Sequence, residues 1–315
     1  MSEIPLPAAA DSSSSTLLKA MAMMAGSSLC FVIMHALVAK VSQGLPPVEV
    51  AFFRNLFGFL VLFPAIARSR FTAFRTTKLH LHAVRGVLNS TSMMMFFTAL
   101  AITPLAEATA LSYTAPLFMT IGAVVVLGET LHARRIAALV IGFIGALVVL
   151  RPGMVPIGLG PLLVLGSTVL WAGSMIDIKI LARTDSSLTI ATYMTVFLMP
   201  ITLVAALFVW QWPTWEQLGW LLLLGACGSA GHMLFTEAFR HADTTVLMPL
   251  DFTKLIWASA IGFLIFGQTP DLWTWLGGTV IFASATYISY REHQLARRKA
   301  RAAAETASGA EMPPS

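Results

Sequence analysis

The stretch FTALAITPLAEATALSYTAPLFMTIGAVVVLGET, residues 97–130, returns in the second half of the chain as FTEAFRHADTTVLMPLDFTKLIWASAIGFLIFGQT, residues 235–269. Phe97-Thr98 answers Phe235-Thr236, and Ala106-Glu107 answers Ala242-Asp243. Leu127-Gly128-Glu129-Thr130 answers Phe266-Gly267-Gln268-Thr269. In the first copy a hinge at Thr103-Pro104 precedes a run of about twenty residues too apolar for the surface of a soluble helix, long enough to cross a bilayer. The second copy differs in one chemical respect, because Asp251 and Lys254 stand inside its apolar run.

Composition sets the class. Of 315 residues, 57% are hydrophobic and 11% charged, with a mean hydropathy of +0.78. Soluble domains carry about 25% charged residues. A chain this apolar exceeds what one core can bury and reads as a multi-pass membrane protein. Cys30 and Cys227 both fall in apolar runs, so neither a disulfide framework nor a zinc spacing is present. The leader, residues 1–16, is polar and lacks the basic start and short apolar core of a cleaved signal peptide.

A helix satisfies its own backbone hydrogen bonds in lipid, so apolar runs are read as helical spans. About ten follow: Leu17–Lys40, Val48–Ala67, Ala83–Ile102, Leu105–Leu127, Ile136–Leu150, Leu159–Leu181, Leu188–Trp210, Leu218–Phe239, Thr244–Phe266 and Leu272–Tyr290. Placing both termini in the cytoplasm puts most loop Lys and Arg on one side, among them Arg68, Arg70, Arg75, Lys78, Arg134, Arg135, Arg183 and Arg240. The tail adds Arg291, Arg297, Arg298, Lys299 and Arg301, while the other side keeps Lys40 and Arg151. That asymmetry sets orientation and accounts for the net charge of +5, so nucleic acid is not needed to explain it. The tail, 291–315, reads as a solvated orientation signal able to continue as a basic surface helix.

Each half opens alike, with Gly26-Ser27-Ser28-Leu29-Cys30-Phe31 answered by Gly166-Ser167-Thr168-Val169-Leu170-Trp171. Each half then holds five spans, and an odd number makes the halves enter the membrane from opposite sides. The fold class is therefore an all-α integral membrane protein of about ten transmembrane helices in two five-helix inverted repeats, residues 17–151 and 159–290, the architecture of alternating-access carriers. Duplication without transport is the competing reading of the same repeat, and the even-numbered, loop-poor bundle favours transport over it.

Arg85-Gly86, the run FFTALAITPLAEATALSYTAPLF (96–118), LGE (127–129) and GFIGALVVLRPG (142–153) resemble the EamA family of the drug/metabolite transporter superfamily. The resemblance covers about residues 17–290. It implies two five-helix inverted repeats around a central cavity and transport of small metabolites across the bacterial inner membrane. The first half looks most like the branch with carriers for S-adenosylmethionine and riboflavin. Gln268 stands where the family commonly has an acid, and Asp251-Phe252-Thr253-Lys254 is more charged than the family pattern.

Charge inside a span costs at least ~2.5–3.5 kcal/mol on insertion scales, so it tends to face a cavity or a partner. Asp251 lies about seven residues, some ~10 Å, into the ninth span, and Lys254 lies near the midplane. Their i,i+3 spacing puts them on one helix face. The midplane depth favours a substrate-binding or proton-accepting pair over a neutralised structural pair. Arg54 sits in the second span and fits a substrate anion or a salt link to Glu49 or Glu107. Arg85 fits the cavity or snorkelling to the interface, and Asn89, one turn deeper, fits a substrate contact or interhelical glue. Tyr113 offers a cavity wall with a hydroxyl. Pro116 and Pro249 are candidate hinges, because proline removes a backbone N–H. Trp171, midway along the sixth span, fits a stacking surface or interhelical filling. His232 is, with Asp251, a candidate for proton coupling; as a lone histidine it also reads as a hydrogen-bonding residue. The methionines, including Met93-Met94-Met95, read as flexible packing.

The leading function is a secondary transporter of a small organic metabolite, with spans 1, 3, 4, 6, 8 and 9 lining a midplane cavity. No GxxxxGK(S/T) phosphate loop is present, so the driving force is a gradient. The competing readings are a membrane enzyme acting on a lipid-linked substrate and a non-transporting membrane subunit. Against the enzyme, the sequence has no HExxH, no GxSxG and no clustered carboxylates. No catalytic residue, metal or cofactor is called for. The expected partners are the bilayer and a small molecule such as riboflavin, S-adenosylmethionine, an amino acid or a related metabolite. Direction, coupling and oligomeric state stay open.

Overall fold

A computed structural model describes residues 14–68, 76–128, 133–181, 184–185, 187–242 and 244–310. Twelve helices occupy them: α1 (Ser14–Val41), α2 (Pro47–Arg68), α3 (Leu79–Ile102), α4 (Leu105–Ser112), α5 (Ala115–Leu127) and α6 (Ala133–Leu150), then α7 (Leu159–Leu181), α8 (Ser187–Leu207), α9 (Trp215–His241), α10 (Thr244–Asp251), α11 (Thr253–Phe266) and α12 (Leu272–Ala310). No strand occurs among the described residues. Most of the leader, Arg70, Arg75, Glu129, Thr130, Arg183 and Asp243 lie outside the described residues.

Six stretches, Thr16–Val41, Leu105–Val126, Ala133–Leu150, Leu159–Ile178, Trp215–His241 and Pro249–Phe266, are long and apolar enough to cross a membrane. The chain is a multi-pass membrane protein. Its outward faces are apolar, as lipid requires: Val125, Phe208 and Leu264 are each more than three-quarters exposed. Trp212 and Trp215 stand almost fully exposed at the α8–α9 connection, where an interfacial belt is expected.

The fourth and ninth sequence segments are each broken in two. Pro116 sits in the first turn of α5 and has no N–H to give to the Ser112 carbonyl, so α4 stops and α5 restarts around Tyr113-Thr114. Pro249 lies inside α10, which ends two residues later at Asp251, and α11 restarts after Phe252. The distal pieces end alike. Gly128 (φ 67°) and Gly267 (φ 65°) cap α5 and α11 in the left-handed conformation, and their N–H groups return to the last turn. The last helix runs on well past Tyr290, so the basic tail continues it.

Packing follows the repeat. Helix α1 lies along α9 as α3 lies along α7, and α2 on α9 matches α3 on α8. Ser27 of α1 donates to the Gly231 carbonyl of α9 at 2.8 Å, and Ser92 of α3 donates to the Ser167 carbonyl of α7 at 2.7 Å. The glycines that allow close approach also correspond. A Cβ on Gly86 would lie 2.5 Å from Cβ of Phe197, and one on Gly225 would lie 2.6 Å from Cβ of Phe57. Helices α6 and α12 close the pattern through Gly145 and Gly277, each facing the other's carbonyl.

Candidate functional site

The two helix breaks meet. The Tyr113 hydroxyl, at the α4–α5 break, donates to the Asp251 carbonyl at the end of α10 over 3.2 Å. A helix end leaves carbonyls without intrahelical partners, and this contact satisfies one of them from the other repeat. The Tyr113 and Phe252 rings stack at 6.1 Å, and Phe282 of α12 packs against both, at 5.3 Å and 4.8 Å. Trp275 extends the aromatic floor beside Phe252.

Above this floor runs a line of cationic and imidazole groups. Lys254 Nζ lies 2.6 Å from Asp251 Oδ1, with both side chains about one-fifth exposed. Lys254 also points at the face of Phe31, 5.2 Å from the ring centroid, and His232 meets Phe31 edge-on at 4.9 Å. One turn back along α9 from His232 is Gly228, the gap against which Arg54 lies: a Cβ there would be 3.7 Å from Arg54 Nε and 2.9 Å from Met34 Sδ. His35, next to Met34 on α1, meets Phe96 of α3 at 5.1 Å. Arg54 donates to Asn55 Oδ1 at 3.2 Å, and Asn55 is held by Thr202 and Met93. Among the described residues no carboxylate comes within salt-bridge distance of Arg54.

The structure thus brings Asp251, Lys254, Tyr113, His232 and Arg54 into one connected region, with Phe31, His35 and Phe252 added. Other sequence candidates sit elsewhere. Arg85 is buried between α3 and α8, where it donates to the Ile190 carbonyl at 3.0 Å and meets Met194 Sδ. Asn89 is buried on α3, one turn along. Trp171 is 38% exposed on α7 and belongs to no ring contact of this cluster. Glu49 is fully buried and accepts the Gln211 N–H at 3.0 Å, so it does not pair with Arg54. Glu107 lies in range of Arg151 and Asp271, which themselves pair at 2.6 Å.

The bundle's two ends differ. At the end where α1 finishes, Gln268 accepts the Leu105 N–H at 3.0 Å. Gln268 therefore satisfies a free donor in the first turn of α4. A cavity of ≈ 240 Å³ lies there, lined by Gln43, Ile102, Thr103, Pro104, Phe266 and Gln268 among others, apart from the Lys254 region. Lys40 covers the Trp220 ring at 3.9 Å on the same side. At the end where α1 begins, Asp185 accepts from Thr76 at 2.6 Å and pairs with His82 at 2.8 Å, while His82 stacks on Tyr193 at 4.6 Å. Sequence reasoning singled out none of these latch residues. They sit in two segments about a hundred positions apart, and no local motif marks them. Among the described residues no group of three or more His, Cys, Asp or Glu is placed to hold a metal.

Comparison with known proteins gives the following. The EamA-like transporter family matches residues 18–151 and again 158–290. A riboflavin transporter of Vibrio cholerae is 31% identical over 277 residues, covering 86% of this chain and 93% of its own. An S-adenosylmethionine uptake transporter of Rickettsia bellii is 29% identical, covering 80% of this chain and 86% of its own. A pseudopaline exporter of Pseudomonas aeruginosa is 28% identical, covering 83% and 93%.

Proposed function

This chain belongs to the EamA-like transporter family, and from that premise we propose that it carries a small organic metabolite across a bacterial inner membrane by alternating access. Membership in a transporter family, with relatives named as transporters, speaks for carriage rather than catalysis. The observation that carries the mechanism is an asymmetry between the repeats. Helix α1 packs on α3 and α4 packs on α12, whereas among the described residues the corresponding pairs, α7 with α9 and α10–α11 with α6, make no comparable contact. A two-fold repeat at rest in one of two mirror packings has this form. With the loop Lys and Arg excess on the cytoplasmic side, the end where α1 begins is cytoplasmic in this reading, and both termini lie there.

Asp251 and His232 are the proton-coupling candidates. A proton on Asp251 releases Lys254 from its 2.6 Å ion pair at the junction of the two repeats. Relatives include both uptake carriers and an exporter, so the fold itself does not set direction. The test is uptake into sealed proteoliposomes of riboflavin, S-adenosylmethionine and amino acids, with and without an imposed pH gradient, for the wild type and Asp251→Asn. Saturable uptake supports the carrier. Loss of the pH-gradient effect in the variant supports coupling through Asp251. Equal rates in every condition with Asp251→Asn unimpaired remove the proton role and leave the carrier.

A further inference from the structure

The Arg54 guanidinium reaches from α2 to Gly228 of α9, one turn from His232 along that helix, where Met34 of α1 also comes close. Its described polar partner is a neutral amide, Asn55, which is itself fixed by Thr202 and Met93. Across Phe31 and His232 stands Lys254, whose charge is already balanced by Asp251. Arg54 and Lys254 supply two positive charges and Asp251 one negative, so this interior region holds one cation in excess. The groups between, His35 and His232, bring ring N–H donors and no negative charge. Everything oriented here, an Arg fork, an Asn that fixes it, two imidazoles and an ammonium, is donor-rich and short of acceptors. An unbalanced cation at membrane depth is retained where an anion comes to it.

Building on the carrier reading, we infer that Arg54, with His35 and His232 beside it, is an anion subsite that takes the carboxylate or phosphate of the carried metabolite. The planar fork of Arg54 binds such groups through two parallel N–H···O bonds. The metabolite's remaining body lies toward Phe31 and the Tyr113–Phe252 floor. The substrate class is thus an organic anion or an amino-acid-like zwitterion rather than a neutral or purely cationic compound.

The test is thermal shift on the purified full chain with matched probes that differ only in the anion: phenylalanine against phenylalaninamide, and adenosine 5′-monophosphate against adenosine. Wild type is run beside Arg54→Gln, Arg54→Lys and, as a surface control, Arg240→Gln, whose side chain pairs with Glu237 outside the site. The expected result is stabilisation by an anionic member and not its uncharged-group counterpart. Arg54→Gln should weaken the response roughly tenfold to a hundredfold in half-saturating concentration, the usual loss for a hydrogen bond to a charged group. Arg54→Lys should retain part of it, and Arg240→Gln all of it. The responding pair identifies carboxylate or phosphate. A panel in which no anionic member outdoes its counterpart, or in which Arg54→Gln responds as the wild type does, overturns the inference. Saturable proteoliposome uptake of a neutral compound, unaffected by Arg54→Gln, would do the same while leaving the carrier function intact.

Discussion

Tyr113 and Phe252 occupy corresponding positions in the two repeats, each at the point where its long helix breaks, and their rings stack on one another 6.1 Å apart. The two proline-associated breaks thereby form one joint. The Tyr113 hydroxyl adds a direct tie to the Asp251 carbonyl of the other half. A joint that links equivalent points of an inverted repeat is well placed to hold one packing against its mirror image.

Tyr113→Phe removes the tie and keeps the ring. The expected stability loss is about 1 kcal/mol, the net worth of one such hydrogen bond. Tyr113→Ala also removes the packing against Phe252 and Phe282, and the expected loss is about 3–5 kcal/mol. Thermal melts measure both. Transport rate should change in Tyr113→Phe beyond what its small shift in melting accounts for, because the tie is present in the packing described. A rate identical to wild type would reduce Tyr113 to a packing residue.

Asp251 and Lys254 make a different prediction, because neither charge is stable there without the other. Asp251→Asn leaves Lys254 uncompensated and should lower the melting temperature more than the double change Asp251→Asn with Lys254→Met. Removing one partner of a buried pair costs about 3–5 kcal/mol, whereas replacing both is often near neutral. A double-mutant cycle measured by melting reads the coupling directly. Additive losses would show that the 2.6 Å contact carries no coupling.

How far the sequence reached depends on the distance over which each signal acts. The repeat of residues 97–130 in 235–269 is a local pattern, and so are the prolines that break both copies. From these the bundle, its two halves and the closeness of Asp251 and Lys254 are readable, but not the helix break at Phe252 that puts the two residues on α10 and α11 instead of one helix face. Arg85 illustrates the limit. Its charge inside an apolar run suggested a cavity or an interface, but the Ile190 carbonyl that satisfies it lies on α8, and no sequence spacing points to a backbone oxygen. Gln268 replaced an expected acid, yet an amide oxygen caps the first turn of α4 as well as a carboxylate does. The Tyr113–Phe252 correspondence is present in the sequence as two aromatic residues each followed by Thr, but an uncharged ring in an apolar run carries no signal of its own beside the charges of Asp251 and Lys254.

Neighbouring residues of α2 give a packing prediction with an internal control. Phe57 presses on Gly225, where a Cβ would come within 2.6 Å of the Phe57 Cβ, while Gly58 has nothing within 4 Å. Gly225→Ala should therefore force α2 from α9 and destabilise by about 1–3 kcal/mol, the range for overpacking. Gly58→Ala should be neutral or stabilising by up to about 1 kcal/mol, from helix propensity alone. Gly86→Ala should behave as Gly225→Ala does, because Phe197 repeats the Phe57 contact in the other half. Similar melting for Gly225→Ala and Gly58→Ala would mean that the helices separate at no cost.

The latch at the end where α1 begins yields a pH dependence. Burial alone would raise the Asp185 carboxyl, but hydrogen bonds from Thr76, His82 and Thr184 outweigh it and hold the group below its usual range. A folded-state value below the unfolded one means that the contribution to stability is fully present above the ordinary Asp value of about 3.9. It is then lost as pH falls through the depressed folded value. Between pH 5 and 8 the carboxylate should therefore hold α3 to the α7–α8 connection with no change of its own, and the protein should weaken only at more acid pH. Asp185→Asn should lower the melting temperature near neutral pH and flatten the acid limb of the melting-temperature profile. Thr76→Val removes one of the three donors and should give a smaller loss with the acid limb shifted to higher pH. If Asp185→Asn left both the neutral melting temperature and the acid limb unchanged, the contact with Thr76 and His82 would contribute nothing to holding α3 to the α7–α8 connection.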